Sequence, residues 1–269
     1  MEPFNFGRTL SRTFALIRDS LVSVGLFILV IQLINLALSF ALMQPMMETM
    51  KSSAEGGAAA PLAVFASPLY WLSIGLALLV SSISMAGSIA GLLKVSRGEQ
   101  TSLGDCFRAA VAKFLPVLAL TILWALGFGL GWILLIVPGV ILITMWSAAL
   151  PALIGENLGV IESFGRSREL TRGSRLSIFG VFLVSLIIIY IPLIFLGGAF
   201  AGGVMGGMMN GMAGAAADEA GFGAMLSLIS VPYGWFTAMF ISSLLVSIYT
   251  ETTLIKGGGS TAQLSDVFV

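Results

Sequence analysis

The chain has no histidine, one cysteine, and charge on only 10% of its 269 residues. Each shortage removes a class of function. Without imidazole, the commonest general base near neutral pH and the commonest metal ligand are missing. The lone thiol, Cys106, forms neither an intramolecular disulfide nor a thiolate metal cluster. A small buried apolar role is expected for it. Soluble chains carry charge on about 25% of their residues, so this chain cannot cover its surface in water. Lys plus Arg and Asp plus Glu both number 13, and a net charge of zero provides no bulk attraction for nucleic acid.

Apolar residues are what the chain has in abundance: 58% of it is hydrophobic and its mean hydropathy is +1.03. Apolar runs fall at 20–42, 68–93, 114–130, 132–154, 176–200 and 223–250. A bilayer core about 30 Å thick takes about 20 such residues as helix, and backbone at that depth must satisfy its own hydrogen bonds. The expected fold is an all-α polytopic membrane helix bundle with six transmembrane helices. Residues 114–155 hold no charge, which leaves room for two spans and a tight turn. Gly127, Gly129 and Gly131 supply that turn, with Trp132 at the interface, and Pro138 is read as a kink. A break at Pro138-Gly139 is the alternative. Span one is too long for the apolar region of a cleaved signal peptide, about 7–15 residues, and is read as retained.

Twelve of the 13 Lys and Arg residues fall on one side of six such crossings; Lys51 is the exception. Arg8, Arg12 and Arg18 precede span one. Lys94, Arg97, Arg108 and Lys113 lie between spans two and three. Arg166, Arg168, Arg172 and Arg175 lie between spans four and five, and Lys256 follows span six. Cationic loops stay in the cytoplasm, so both termini are expected there. The 43–67 and 201–222 segments are expected as outer loops.

A spacing recurs after each even-numbered span: Gly, an aliphatic residue five on, an acid seven on, and Phe nine on. It reads Gly98, Leu103, Asp105, Phe107; then Gly155, Val160, Glu162, Phe164; then Gly259, Leu264, Asp266, Phe268. Three copies at equivalent places suggest three repeated hairpin units. Interfacial helices are expected at 4–19, 102–113 and 159–171. At about 100° per residue, Phe6, Leu10, Phe14, Ile17 and Leu21 share an arc of about 80° that excludes Arg8, Arg12 and Arg18. Leu103, Phe107, Val111 and Phe114 form a similar arc. Such helices lie in the headgroup plane or pack on the ends of a bundle; both remain open at this point. Ser102 and Asp105 have capping-box spacing.

Polar chemistry is sparse. Gln32 and Asn35 are the most polar deep side chains. They suit an intramembrane polar site, or a hydrogen bond to a neighbouring helix. Glu251 ends span six within helical reach of Lys256 or headgroup water. The densest polar cluster is 155–175, where Glu162–Arg166 and Glu169–Arg172 have ion-pair spacing. Arg166, Arg168, Arg172 and Arg175 are candidates for binding lipid phosphates, since guanidinium groups grip them bidentately. Small-residue spacings such as Gly87–Gly91 allow close helix approach.

The stretch from Leu134 to Phe179, with Pro138-Gly139, Pro151, Glu156, Arg166-Ser167 and Leu170-Thr171-Arg172-Gly173, resembles the bacterial glycerophosphoryl diester phosphodiesterase membrane domain. The six-span outline fits that resemblance over nearly the whole chain. Met145 and Trp146 stand where the family often carries a basic residue. The family's phosphodiesterase activity belongs to a separate barrel that uses histidines, so the resemblance implies the membrane part alone, in a bacterial inner membrane.

These features point to a non-enzymatic integral membrane protein without cofactor or metal. It would organise lipid or recruit a protein partner, or a second copy of itself, through its cytoplasmic helices; nucleic acid is not a partner. The alternatives are a transporter with a polar cavity near Gln32 and Asn35, and a lipid-modifying enzyme using Glu156 or Glu162.

Overall fold

A computed structural model of the chain describes residues 4–54, 65, 67–134, 136–209 and 219–257. The described residues form helices α1 (Phe6–Ser20), α2 (Val24–Ala54), α3 (Pro68–Ser96), α4 (Leu103–Leu134), α5 (Ile136–Trp146), α6 (Ala149–Gly155), α7 (Val160–Thr171), α8 (Arg175–Met209) and α9 (Glu219–Gly257). Among the described residues, five helical stretches are long and apolar enough to cross a membrane: Val24–Leu42, Pro68–Ser96, Leu103–Gly129, Arg175–Ile194 and Ser230–Lys256. The chain is all-α and, by helix composition, a polytopic membrane protein.

Several boundaries differ from expectation. Residues 102–113 are not a separate interfacial helix: α4 runs from Leu103 through Pro116 to Leu134. It also runs through Gly127, Gly129 and Gly131, so the expected glycine turn is absent. Consecutive glycines at spacing two cost helix propensity but forbid nothing, and in an apolar environment the helix is the backbone's only self-sufficient form. The expected span 132–154 is divided. Ile136–Trp146 and Ala149–Gly155 are distinct helices, and Gly139–Gly155 forms a shorter apolar stretch. Helix also occupies much of the expected outer loops, reaching Ala54 at one and extending to Met209 and from Glu219 at the other. The third copy of the Gly–Phe spacing lies outside the described residues.

α3 is the centre of the bundle, packing on α2, α4, α6 and α9. Where lipid surrounds the helices, association depends on close packing rather than on exclusion from water, and small residues permit it. A Cβ at Gly87 would lie 2.3 Å from Phe27 Cζ and 2.8 Å from the Cys106 carbonyl oxygen. At Gly91 it would lie 2.8 Å from both Cys106 Sγ and Val24 Cγ2. Phe27, Ile28, Ile89, Leu92, Met239 and Val246 fill the core around this contact, and Cys106 is buried in it. Ser88 and Ser242 add a hydroxyl pair at 3.0 Å between α3 and α9. A second cluster joins α8 and α9 through Ile178, Val181, Phe240, Leu244 and Ile248. Leu183, Leu186, Ile187 and Ile194 of α8 remain exposed, as a lipid-facing side requires.

Gly87→Ala is therefore expected to cost about 1–3 kcal/mol by overpacking, seen as a lower thermal midpoint in detergent. Gly75→Ala, with nothing within 4 Å of the new methyl, should leave the midpoint unchanged or raise it.

Candidate functional site

One end of the bundle gathers the cations. Lys94 Nζ, in the last turn of α3, lies 3.5 Å from Asp105 Oδ2 in the first turn of α4. Arg97 Nη2 donates to the Gly155 carbonyl at 3.4 Å. Lys113 donates to Asn157 Oδ1 and Lys256 to the Glu169 carbonyl, tying α4 and α9 to the neighbourhood of α7. The capping box anticipated at the start of α4 is present: Ser102 N donates to Asp105 Oδ2 at 3.1 Å, and Asp105 N donates to Ser102 Oγ at 3.2 Å. Glu162 does the same for α7, accepting from Gly159 N at 3.0 Å. The following Phe of each segment meets an aromatic ring edge-on, Phe107 against Phe27 at 4.9 Å and Phe164 against Trp146 at 4.8 Å.

α1 shows how an amphipathic helix is held at this end. Asn5 Oδ1 accepts from Arg8 N at 3.0 Å and caps it. Its buried face is Thr9, Thr13, Leu16 and Ser20, with the three hydroxyls donating to carbonyls four residues back. The apolar arc is packed only in part: Ile17 touches two core clusters, and the rest turns outward. Phe14 is 48% exposed, and Phe6 and Leu21 are exposed as well. On the opposite edge, Arg8 Nη1 and Arg12 Nη1 each lie 3.4 Å from the Glu251 carboxylate, whose side chain is only 1% exposed. The Phe14 ring meets Phe240, at 5.8 Å between centroids. Phe240 and Glu251 are eleven residues apart on one helix, about 16 Å along its axis. α1 therefore crosses α9 with its arginine edge toward the charged end and its phenylalanine edge toward the middle of the span.

α7 also buries a hydroxyl-bearing face, but two of its hydroxyls bond across to another segment. Its buried face is Ser163, Ser167, Leu170 and Thr171. Between α5 and α6 the chain turns at Ser147 and Ala148, which frees backbone groups. Ser167 Oγ accepts from Ala148 N at 3.1 Å and donates to the Met145 carbonyl at 2.8 Å. Thr171 Oγ1 also reaches that carbonyl, at 3.3 Å. Glu156, just past α6, then fastens α7 to α9. It accepts from Arg166 Nε at 2.9 and 3.1 Å and from the Tyr249 hydroxyl at 2.9 Å.

The four arginine candidates thus part company. Arg166 is engaged by Glu156, with Glu169 at 3.8 Å from Nη1; the expected Glu162 partner is occupied by the Gly159 amide. Arg168 on α7 and Arg172, just past its end, are both exposed, as is Ile161. Arg175 begins α8 half-buried, and its Nε makes no hydrogen bond among the described residues. Glu156 and Glu162 are each taken up by a structural partner and do not converge. Gln32 and Asn35 are half-buried on α2, remote in sequence from the cationic cluster, and Gln32 lies against Gly234 of α9. The nearby groove between α2 and α9, about 340 Å³, is lined by Leu21, Leu26, Leu29, Pro232 and Trp235 among others and carries no ionisable side chain.

The sequence reading gave Glu251 to Lys256 or headgroup water and missed its pairing with Arg8 and Arg12, although a signal was present. Phe-Gly-Arg-Thr at 6–9 recurs as Phe-Gly-Arg-Ser at 164–167, and four residues further each copy has a threonine, Thr13 and Thr171. In both copies the Arg takes a glutamate near the end of an apolar helix, and both hydroxyl positions are buried. Comparison with family models, with curated proteins and with solved structures finds no match.

Ser167→Ala should strand the Ala148 amide, at a cost of about 1–3 kcal/mol. Ser163→Ala, whose hydroxyl returns to the Val160 carbonyl of its own helix, should cost less. Paired thermal midpoints in detergent check the order.

Proposed function

We propose that this chain is a non-enzymatic, six-span protein of a bacterial inner membrane. It would hold anionic lipid, or a partner assembled on that lipid, through helices lying at its cytoplasmic surface. The observation that carries this proposal is the attitude of α1. Its hydroxyl face is packed on the bundle, its phenylalanine edge is exposed toward the middle of the span, and its arginines lie at the charged end. A helix that merely filled a gap in the bundle would bury the apolar edge first.

In this proposal Gly139–Gly155, together with the residues before it, makes the sixth crossing, and both termini share the cationic side. Excess Lys and Arg favour the cytoplasm. The repeated Phe-Gly-Arg-hydroxyl segment and the two described Gly–Phe spacings support descent from a repeated hairpin unit. The resemblance to the glycerophosphoryl diester phosphodiesterase membrane domain is kept as part of the proposal. Its shared positions Glu156, Arg166, Ser167 and Thr171 are the ones that join α5, α6, α7 and α9.

Arg168 and Arg172 are the foremost headgroup ligands, with Arg175 beside them at the start of α8. Arg166 serves the fold instead. Near an anionic leaflet each free cation adds about 1 kcal/mol. With protein in vesicles, capture of added anionic lipid or of anionic test liposomes should fall at least tenfold on replacing Arg168, Arg172 and Arg175 together by Gln. Arg166→Gln should lower thermal stability and leave lipid capture near its starting value. Unchanged capture by the triple variant would contradict the headgroup assignment.

A further inference from the structure

Three buried oxygens on one face of α9 make no hydrogen bond among the described residues: Ser243 Oγ, Ser247 Oγ and Glu251 Oε1. Glu251 Oε1 has an ionic contact at 3.4 Å with Arg8 Nη1. The two serines are fully buried. Their neighbours behave otherwise. Thr237, Thr250 and Thr252 donate to the carbonyl four residues back at 2.8 Å. Buried hydroxyls without partners are rare in native proteins, and a run of them on one face asks for a ligand.

Their spacing indicates which ligand. Positions 243, 247 and 251 are successive steps of four, about 6 Å apart along the helix. Two hydrogen bonds of about 2.8 Å, end to end, span that gap, the distance that one bridging water covers between neighbouring positions. The face lies on a seam between two apolar clusters. Met239 and Val246 belong to one, Phe240, Leu244 and Ile248 to the other, and Ile17 of α1 touches both. A metal cation is disfavoured here, because Arg8 and Arg12 already neutralise the carboxylate.

We propose that Ser243, Ser247 and Glu251 bind a short file of water, running about 12 Å from the charged end into the bundle. A carboxylate offers about four acceptor sites, and two arginine contacts at 3.4 Å leave it under-supplied. The water file supplies the remaining donors, and the serine hydroxyls anchor it. Glu251 stays hydrated without contact with bulk solvent and keeps its hold on α1. This site stands independently of the headgroup contacts proposed above.

The sign of a stability change tests it. Where water is bound, Ser243→Ala and Ser247→Ala each remove an anchor and lower the thermal midpoint by about 2–4 °C. Where the hydroxyls are dry, alanine relieves a desolvation cost, and the midpoint stays or rises. A second readout is chemical. In a Cys106→Ala background, X-ray radiolysis, which makes hydroxyl radical in place from bound water, should oxidise the thiol of Ser247→Cys at least tenfold faster than that of Leu244→Cys. An unchanged or raised midpoint, or equal reactivity at the two positions, would overturn the proposal.

Discussion

A glutamate that sees almost no solvent sets the geometry of the charged end. Glu251 sits nearly two turns from the described end of α9, and its side chain is 1% exposed. Removing an unpaired carboxylate from water costs several kcal/mol, so cations must come to it. Arg8 and Arg12 are four residues apart, on one edge of α1, and both reach it. Once that edge is fixed, the rest of α1 follows from its sequence. The hydroxyl face turns to the bundle, and the phenylalanine edge is left at the depth of Phe240.

The same economy governs the second docking. In water, helices dock through apolar faces. Beside lipid that incentive vanishes, and small residues and hydrogen bonds take over. α1 presents Thr9, Thr13 and Ser20, and α7 presents Ser163, Ser167 and Thr171. In α7 these hydroxyls also settle the backbone freed at the turn between α5 and α6. Apolar side chains are thereby released to face outward, and so are Arg168 and Arg172. Packing through hydroxyls and presenting a mixed apolar and cationic outer face are two consequences of one sequence pattern.

Much of this was legible from the chain. Run length marked the long apolar helices, and the spacing of Ser102 and Asp105 marked a capping box found with both bonds in place. Cys106 is buried as a small apolar residue. The divided fourth segment was not legible. Residues 114–155 carry no charge to punctuate them, and the turn at Ser147 and Ala148 is made by contacts with Ser167 and Thr171, some twenty residues away. The partner of Arg166 was misjudged for a related reason. Spacing favoured Glu162, but that carboxylate is claimed by the amide at its own helix start, leaving Glu156 for the arginine. Glu251 read as an ordinary interfacial acid because nothing within its own helix reveals that residues 8 and 12 fold back on it.

The central proposal is that α1 lies at the membrane surface with three distinct edges. Site-directed spin labels along residues 6–18, in nanodiscs, measure it most directly through relative collision rates with oxygen and with a water-soluble nickel complex. Labels at Phe6, Leu10 and Phe14 should favour oxygen, labels at Ser11 and Arg18 should favour nickel, and labels at Thr9 and Thr13 should be sheltered from both. A label at Phe14 as accessible to nickel as one at Ser11, or a label at Thr13 open to either probe, would contradict the account.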